Sequence, residues 1–135
     1  MNSVLNKLRK LEMSMASERG AFDLFVLLAR EEVPNKWDLL AAASWVEENY
    51  NESLNYFSRK LIALLTEDEL LTIAKVVLLD ETAPLVQTLH KAIAVEHGLI
   101  EIRENNFFGH RIEQAYVITS KRQPIVFRKN ERRSA

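Results

Sequence analysis

The chain has 135 residues, 47% of them hydrophobic, and no cysteine, which suits one domain whose core needs no disulfide or metal staple. The missing thiol excludes a thiolate nucleophile, a CxxC redox pair, sulfur-ligated zinc and iron–sulfur clusters, together with a disulfide-stabilised secreted design. The net charge of −1 is unevenly spread, with +5 in residues 121–135 and −6 in the remainder, so a compact body over 1–120 precedes a basic tail.

Val4, Leu8, Leu11 and Met15 recur at spacings of three and four, predicting an N-terminal amphipathic helix over 2–15 suited to a surface or dimer contact. The charges within Met1–Lys10 do not fit a signal peptide. No run of about 18 apolar residues is present for a membrane span, so cytoplasmic residence without a membrane is expected. Phe22, Phe25, Val26 and Ala29 extend the helical spacing, predicting a helix over 17–32 that Pro34 ends. Trp37–Val46 is nearly all apolar. Its leucines and alanines favour a helix, whereas its length and flanking turn residues favour a central strand, the preferred choice.

Leu54, Phe57, Leu61, Ile62 and Leu65 predict a helix over 52–65. Thr66-Glu67-Asp68-Glu69 has the form of a capping box and opens a short helix. Lys75–Asp80 is an apolar, partly β-branched run suited to a strand covered on both faces. Pro84 opens a helix from Leu85 to His97, with Gly98 as its left-handed stop.

Isoleucines at 100 and 102 alternate with Glu101 and Arg103, and Ile112, Tyr116 and Ile118 continue a period of two. This predicts an antiparallel hairpin of about 99–104 and 111–119. Pro124–Phe127 can add an edge strand. The expected fold is α/β or α+β: a single domain of helices packed on a small mixed sheet with a C-terminal hairpin.

The three glycines, at 20, 98 and 109, lack the spacing of a phosphate-cradling loop, and neither GxSxG nor HExxH occurs. His90 and His97 would lie about 10 Å apart on one helix, too far to share a small ion. Neither metal nor cofactor is expected. Asp80 and Glu81 would follow the carboxyl end of a buried strand, where open α/β sheets bind ligands, and Asp38 could add a second carboxylate. Such acids could hold magnesium or form an acid–base pair, which defines a metal-dependent enzyme as one alternative.

Phe107 and Phe108 cannot both follow the alternation at a turn, so one or both project outward or the tip folds back onto the core. Large apolar side chains on a rigid hairpin make interface anchors, and His110 and Tyr116 complete that candidate surface. Lys121, Arg122, Arg128, Lys129, Arg132 and Arg133 are the candidate basic contacts.

The order helix 67–74, helix 84–97, hairpin and Tyr116–Ser120 resembles the second half of a winged-helix DNA-binding domain over about 55 residues. The resemblance implies that helix 84–97 enters the major groove, that 103–111 is the wing and that Lys121 and Arg122 meet phosphates. Two features depart from that pattern. Val76–Leu79 is apolar where the turn should be exposed, and the reading helix has no arginine on an acidic body. The function expected first is therefore an interaction or accessory module, not an enzyme, that self-associates as a homodimer or docks a protein partner through the hairpin. The nucleic-acid regulator is the first alternative, ahead of the metal-dependent enzyme.

Overall fold

A computed structural model describes residues 2–107 and 110–123 as helices packed around a five-stranded mixed sheet. In chain order the elements are α1 (Asn2–Arg19), β1 (Leu24–Arg30), β2 (Trp37–Ala42), α2 (Ser44–Glu48), α3 (Tyr50–Leu64), α4 (Glu67–Leu70), β3 (Ile73–Leu79), α5 (Pro84–Ala92), β4 (Ile100–Phe107) and β5 (His110–Ser120). The spatial order is β3-β2-β1-β5-β4. Only the β2–β3 pair is parallel, and its connection runs through α2, α3 and α4.

Two cores result, one on each face. Phe25, Leu27, Leu39, Ala41 and Ile118 face α1 and α3, whose Leu8, Met15, Phe57 and Leu61 close the larger core. Leu24, Val26, Leu40, Ala42 and Val117 face the opposite way, toward Val86 and Leu89 of α5.

The helix expected over 17–32 is corrected. The N-terminal helix ends at Arg19, and Leu24–Arg30 forms the central strand. A central strand buries both faces, so every position from Leu24 to Ala29 is apolar and buried, and its phenylalanines matched a helical period by coincidence. Gly20 makes the change of direction with φ of 129°. A Cβ there would also lie 3.1 Å from Trp45. Pro34 falls in the β1–β2 turn beside left-handed Asn35, not at a helix end.

The apolar run 37–46 divides into β2 and the first turn of α2. Thr66 and Glu69 form both hydrogen bonds of the capping box, and the helix they open is a single turn, shorter than the expected 67–74. The 75–80 region is extended through Leu79, as expected, and side chains from both its faces reach a core, but it is only partly buried. β3 is an outer strand on which Ala74 and Lys75 are exposed, and only Leu78 is fully buried.

The helix expected to reach His97 stops at Ala92. Residues 93–98 instead follow the end of β5, with Val95 and Ser120 exchanging two backbone hydrogen bonds of 3.1 and 2.8 Å. Gly98 is therefore no helix stop. His97 carries the left-handed φ of 54°, while glycine at 98 serves close packing, since a Cβ there would meet Val95 at 2.7 Å. With a strand in place of the expected helix–turn connection, the winged-helix topology implied by the resemblance is absent from the described residues.

β4 pairs with β5 from Ile100↔Val117 to Phe107↔His110, beyond the expected bounds on the tip side. The expected strand at 124–127 lies outside the described residues.

Candidate functional site

The parallel register sets Asp38 opposite Lys75 and Ala42 opposite Leu79. Asp38 and Asp80 thus stand at opposite ends of the strand pair, roughly 17 Å apart at about 3.3 Å per residue. The anticipated pairing of these two acids does not form. Buried Asp38 instead accepts a 2.7 Å hydrogen bond from Arg30 Nε, and the same guanidinium pairs with Glu32 through Nη1. Asp80 Oδ1 accepts 2.8 Å hydrogen bonds from the Thr82 amide and hydroxyl. The amide, followed by the hydroxyl, holds the Asp80 carboxyl below its ordinary range.

Glu81 does enter a carboxylate cluster, with partners that were not anticipated. Carboxylate oxygens of Asp23, Glu47 and Glu81 lie within 4.8 Å of one another. The strand entry before β1, helix α2 and the exit from β3 supply one acid each, at the carboxyl ends of β2 and β3. The Glu81 amide donates to Glu47 Oε2 at 3.2 Å, and Asp23 Oδ1 accepts from the Gln123 amide at 3.1 Å. Glu47 is exposed as a residue, yet its carboxyl is partly desolvated. That desolvation, followed by the charges of Asp80, Glu81 and Asp23, raises its pKa. Beside it lies a cavity of about 240 Å³ lined by Val46, Glu47, Tyr50, Leu78, Leu79 and Asp80. Three carboxylates in this arrangement are chemically suited to a hard divalent cation. Positions 23, 47 and 81 share no local pattern, so only the topology joins them.

A second polar constellation joins α1 to β5. Glu12 is fully buried. One oxygen contacts His97 Nδ1 at 2.7 Å and the other accepts from Thr119 Oγ1 at 2.8 Å. Thr119 Oγ1 in turn accepts the His97 amide at 3.1 Å. A buried carboxylate is tolerated when its lone pairs are satisfied in this way. The available signal was a glutamate inside the apolar stripe of α1, one residue after Leu11. His97, expected at the end of a helix, is exposed and is the partner of this acid. His90, not one of a pair on a single helix, reaches the Asp23 carbonyl at 2.8 Å through Nε2.

The remaining anticipated residues separate. Tyr116 packs inward on Trp37 with ring centroids 5.4 Å apart, and its hydroxyl accepts from Gln114 at 3.0 Å. It therefore braces the sheet instead of projecting. Lys121 is paired with Glu96 at 2.9 Å, and Arg122 is exposed. Phe107 and His110 are backbone partners at the end of the β4–β5 ladder. Phe108, Arg128, Lys129, Arg132 and Arg133 lie outside the described residues. No helix among the described residues is long and apolar enough to cross a membrane. Comparison with family models, with curated proteins and with solved structures found no match.

Proposed function

We propose that this chain is a cytoplasmic interaction module that pairs with a second copy of itself along β4, the outer strand of its hairpin. The observation that carries this reading is the alternation on that strand. Glu101 and Arg103 are exposed, Ile100 and Ile102 are half-buried, and β4 is hydrogen-bonded only to β5 among the described strands. An open edge of this kind is a template for another strand. Two copies related by a twofold axis through Ile102 would set Glu101 of each opposite Arg103 of the other, and Ile102 opposite its own counterpart. The same surface serves both partners, as an isologous contact requires. Within one chain Arg103 Nη2 already lies 2.7 Å from Glu101, with the arginine side chain 73% exposed, so both charges are available at the rim. The cysteine-free, charge-rich composition supports the cytoplasmic assignment.

Sedimentation velocity over a concentration series tests the reading by charge exchange. The wild-type protein should sediment as a dimer that dissociates on dilution. Arg103→Glu places like charges at two symmetry-related positions and should loosen association on the order of tenfold, whereas Arg103→Glu combined with Glu101→Arg should restore it. A wild-type monomer at every concentration, or a double exchange as weak as the single one, would overturn the proposal.

A further inference from the structure

At the end of the sheet away from the acidic cluster, several elements meet around a cavity of about 320 Å³. Its wall is formed by Val4 of α1, Ala29 of β1, Asn35 and Lys36 of the β1–β2 turn, Trp37 of β2, Thr72, and Glu113 and Gln114 of β5. The size lies at the lower end of the range for small-molecule sites.

Two backbone irregularities place the polar groups. β5 is bulged against β1, since Ala29 pairs with Gln114 and Arg30 with Ile112, leaving Glu113 outside the pairing. Bulges of this kind re-aim a side chain. On the facing turn, Asn35 adopts a left-handed φ of 62°, immediately before Lys36. The Lys36 ammonium is held by the Leu71 carbonyl, which uses one of its three donors. The Glu113 carboxylate makes no ion pair or hydrogen bond with any described residue. The two opposite charges thus line one cavity without neutralising each other. Trp37 and Val4 supply apolar wall between them, and the indole is braced from behind by Tyr116.

We infer that this cavity binds a small zwitterion of the α-amino acid type. Its ammonium meets Glu113, its carboxylate meets Lys36 and Asn35, and its side chain lies against Trp37. A singly charged ligand would leave one of the two protein charges unmatched, whereas a zwitterion satisfies both with charge-assisted hydrogen bonds.

The proteinogenic L-amino acids, added singly to the intact protein, form the test. Melting temperature gives the first readout, because a ligand of the folded state raises it, and calorimetric titration gives the affinity. At least one amino acid should bind. Glu113→Gln and Lys36→Met should each weaken that binding by roughly tenfold or more, the scale of a charge-assisted hydrogen bond. N-acetylation and carboxyl amidation of the ligand should produce matching losses. If no amino acid binds, or if binding is indifferent to both substitutions or survives both blocking groups, the inference is wrong.

Discussion

The two outer strands of the sheet each leave one edge unpaired among the described strands, yet they differ in how their faces are covered and where their charges lie. β3 is supported on both faces: Val76 and Leu78 pack toward the α1–α3 core, and Val77 and Leu79 toward the α5 core. Its entry is secured by the single turn α4, whose Glu69 binds its own cap residue Thr66 and also Lys7 and Ser3 of α1. β4 is supported more thinly. Ile100 and Ile102 pack on the α5 side alone, and the strand hangs from β5, which Glu12 fastens to α1 through Thr119. Lys75 stands exposed in the middle of β3, a common guard against strand addition. The charges of β4 alternate in sign around Ile102, an arrangement that a second copy can answer.

The largest way to break this contrast is to cut the fastening of β5. Glu12→Ala should cost about 3 kcal/mol in denaturant unfolding, because it removes the acceptor of the buried Thr119 hydroxyl and the partner of His97. Glu12→Gln, which keeps part of the network, should cost clearly less. A loss below about 1 kcal/mol for the alanine variant would mean that α1 and β5 are held by apolar packing alone.

Next come the strands themselves. Leu78→Ala in β3 should destabilise by about 2 to 3 kcal/mol, since a buried leucine is emptied. Ile102→Ala in β4, at a half-exposed position, should cost less than about 1 kcal/mol in dilute protein while weakening association. Equal costs in dilute protein would erase the difference in support between the two outer strands.

The smallest effect concerns acid. Hydrogen bonds from Lys7 first and then from the Thr66 amide hold the Glu69 carboxyl down at about 2. The folded state therefore releases this proton more readily than the unfolded chain. The stabilisation is complete above the ordinary carboxylate range and is lost as pH falls from about 4.5 toward 2. Lys7→Met should flatten that part of the melting-temperature profile. An unchanged acid limb would show that Glu69 does not tie α4 to α1.

How much of this was legible follows from where each residue sits. The helix around Leu54–Leu61, the capping box at Thr66 and the period of two after Gly98 are local patterns, and local patterns survive folding. β1 carries no strand pattern in its sequence because a central strand is apolar on both faces, which removes the alternation that identifies strands at a surface. The apolar run at 75–80 signalled extension correctly but not position, since an outer strand beside two cores carries nearly the same residues as an inner one. Ile93 and Val95 fall inside the helix expected to reach His97, although their β-branched side chains suit the extended segment they form. Asp23, Glu47 and Glu81, and likewise Glu113 and Lys36, meet only through the order of the strands, which no spacing along the chain encodes.

Pairing along β4 is tested most directly by amide hydrogen exchange across Ile100–Arg103, measured at high and low protein concentration. If two copies join there, the outward-pointing amides of that segment should exchange more slowly as concentration rises, while those of β3 stay unchanged. Exchange along β4 that does not vary with concentration, or protection that grows on β3 instead, would contradict the assignment of this edge as the contact.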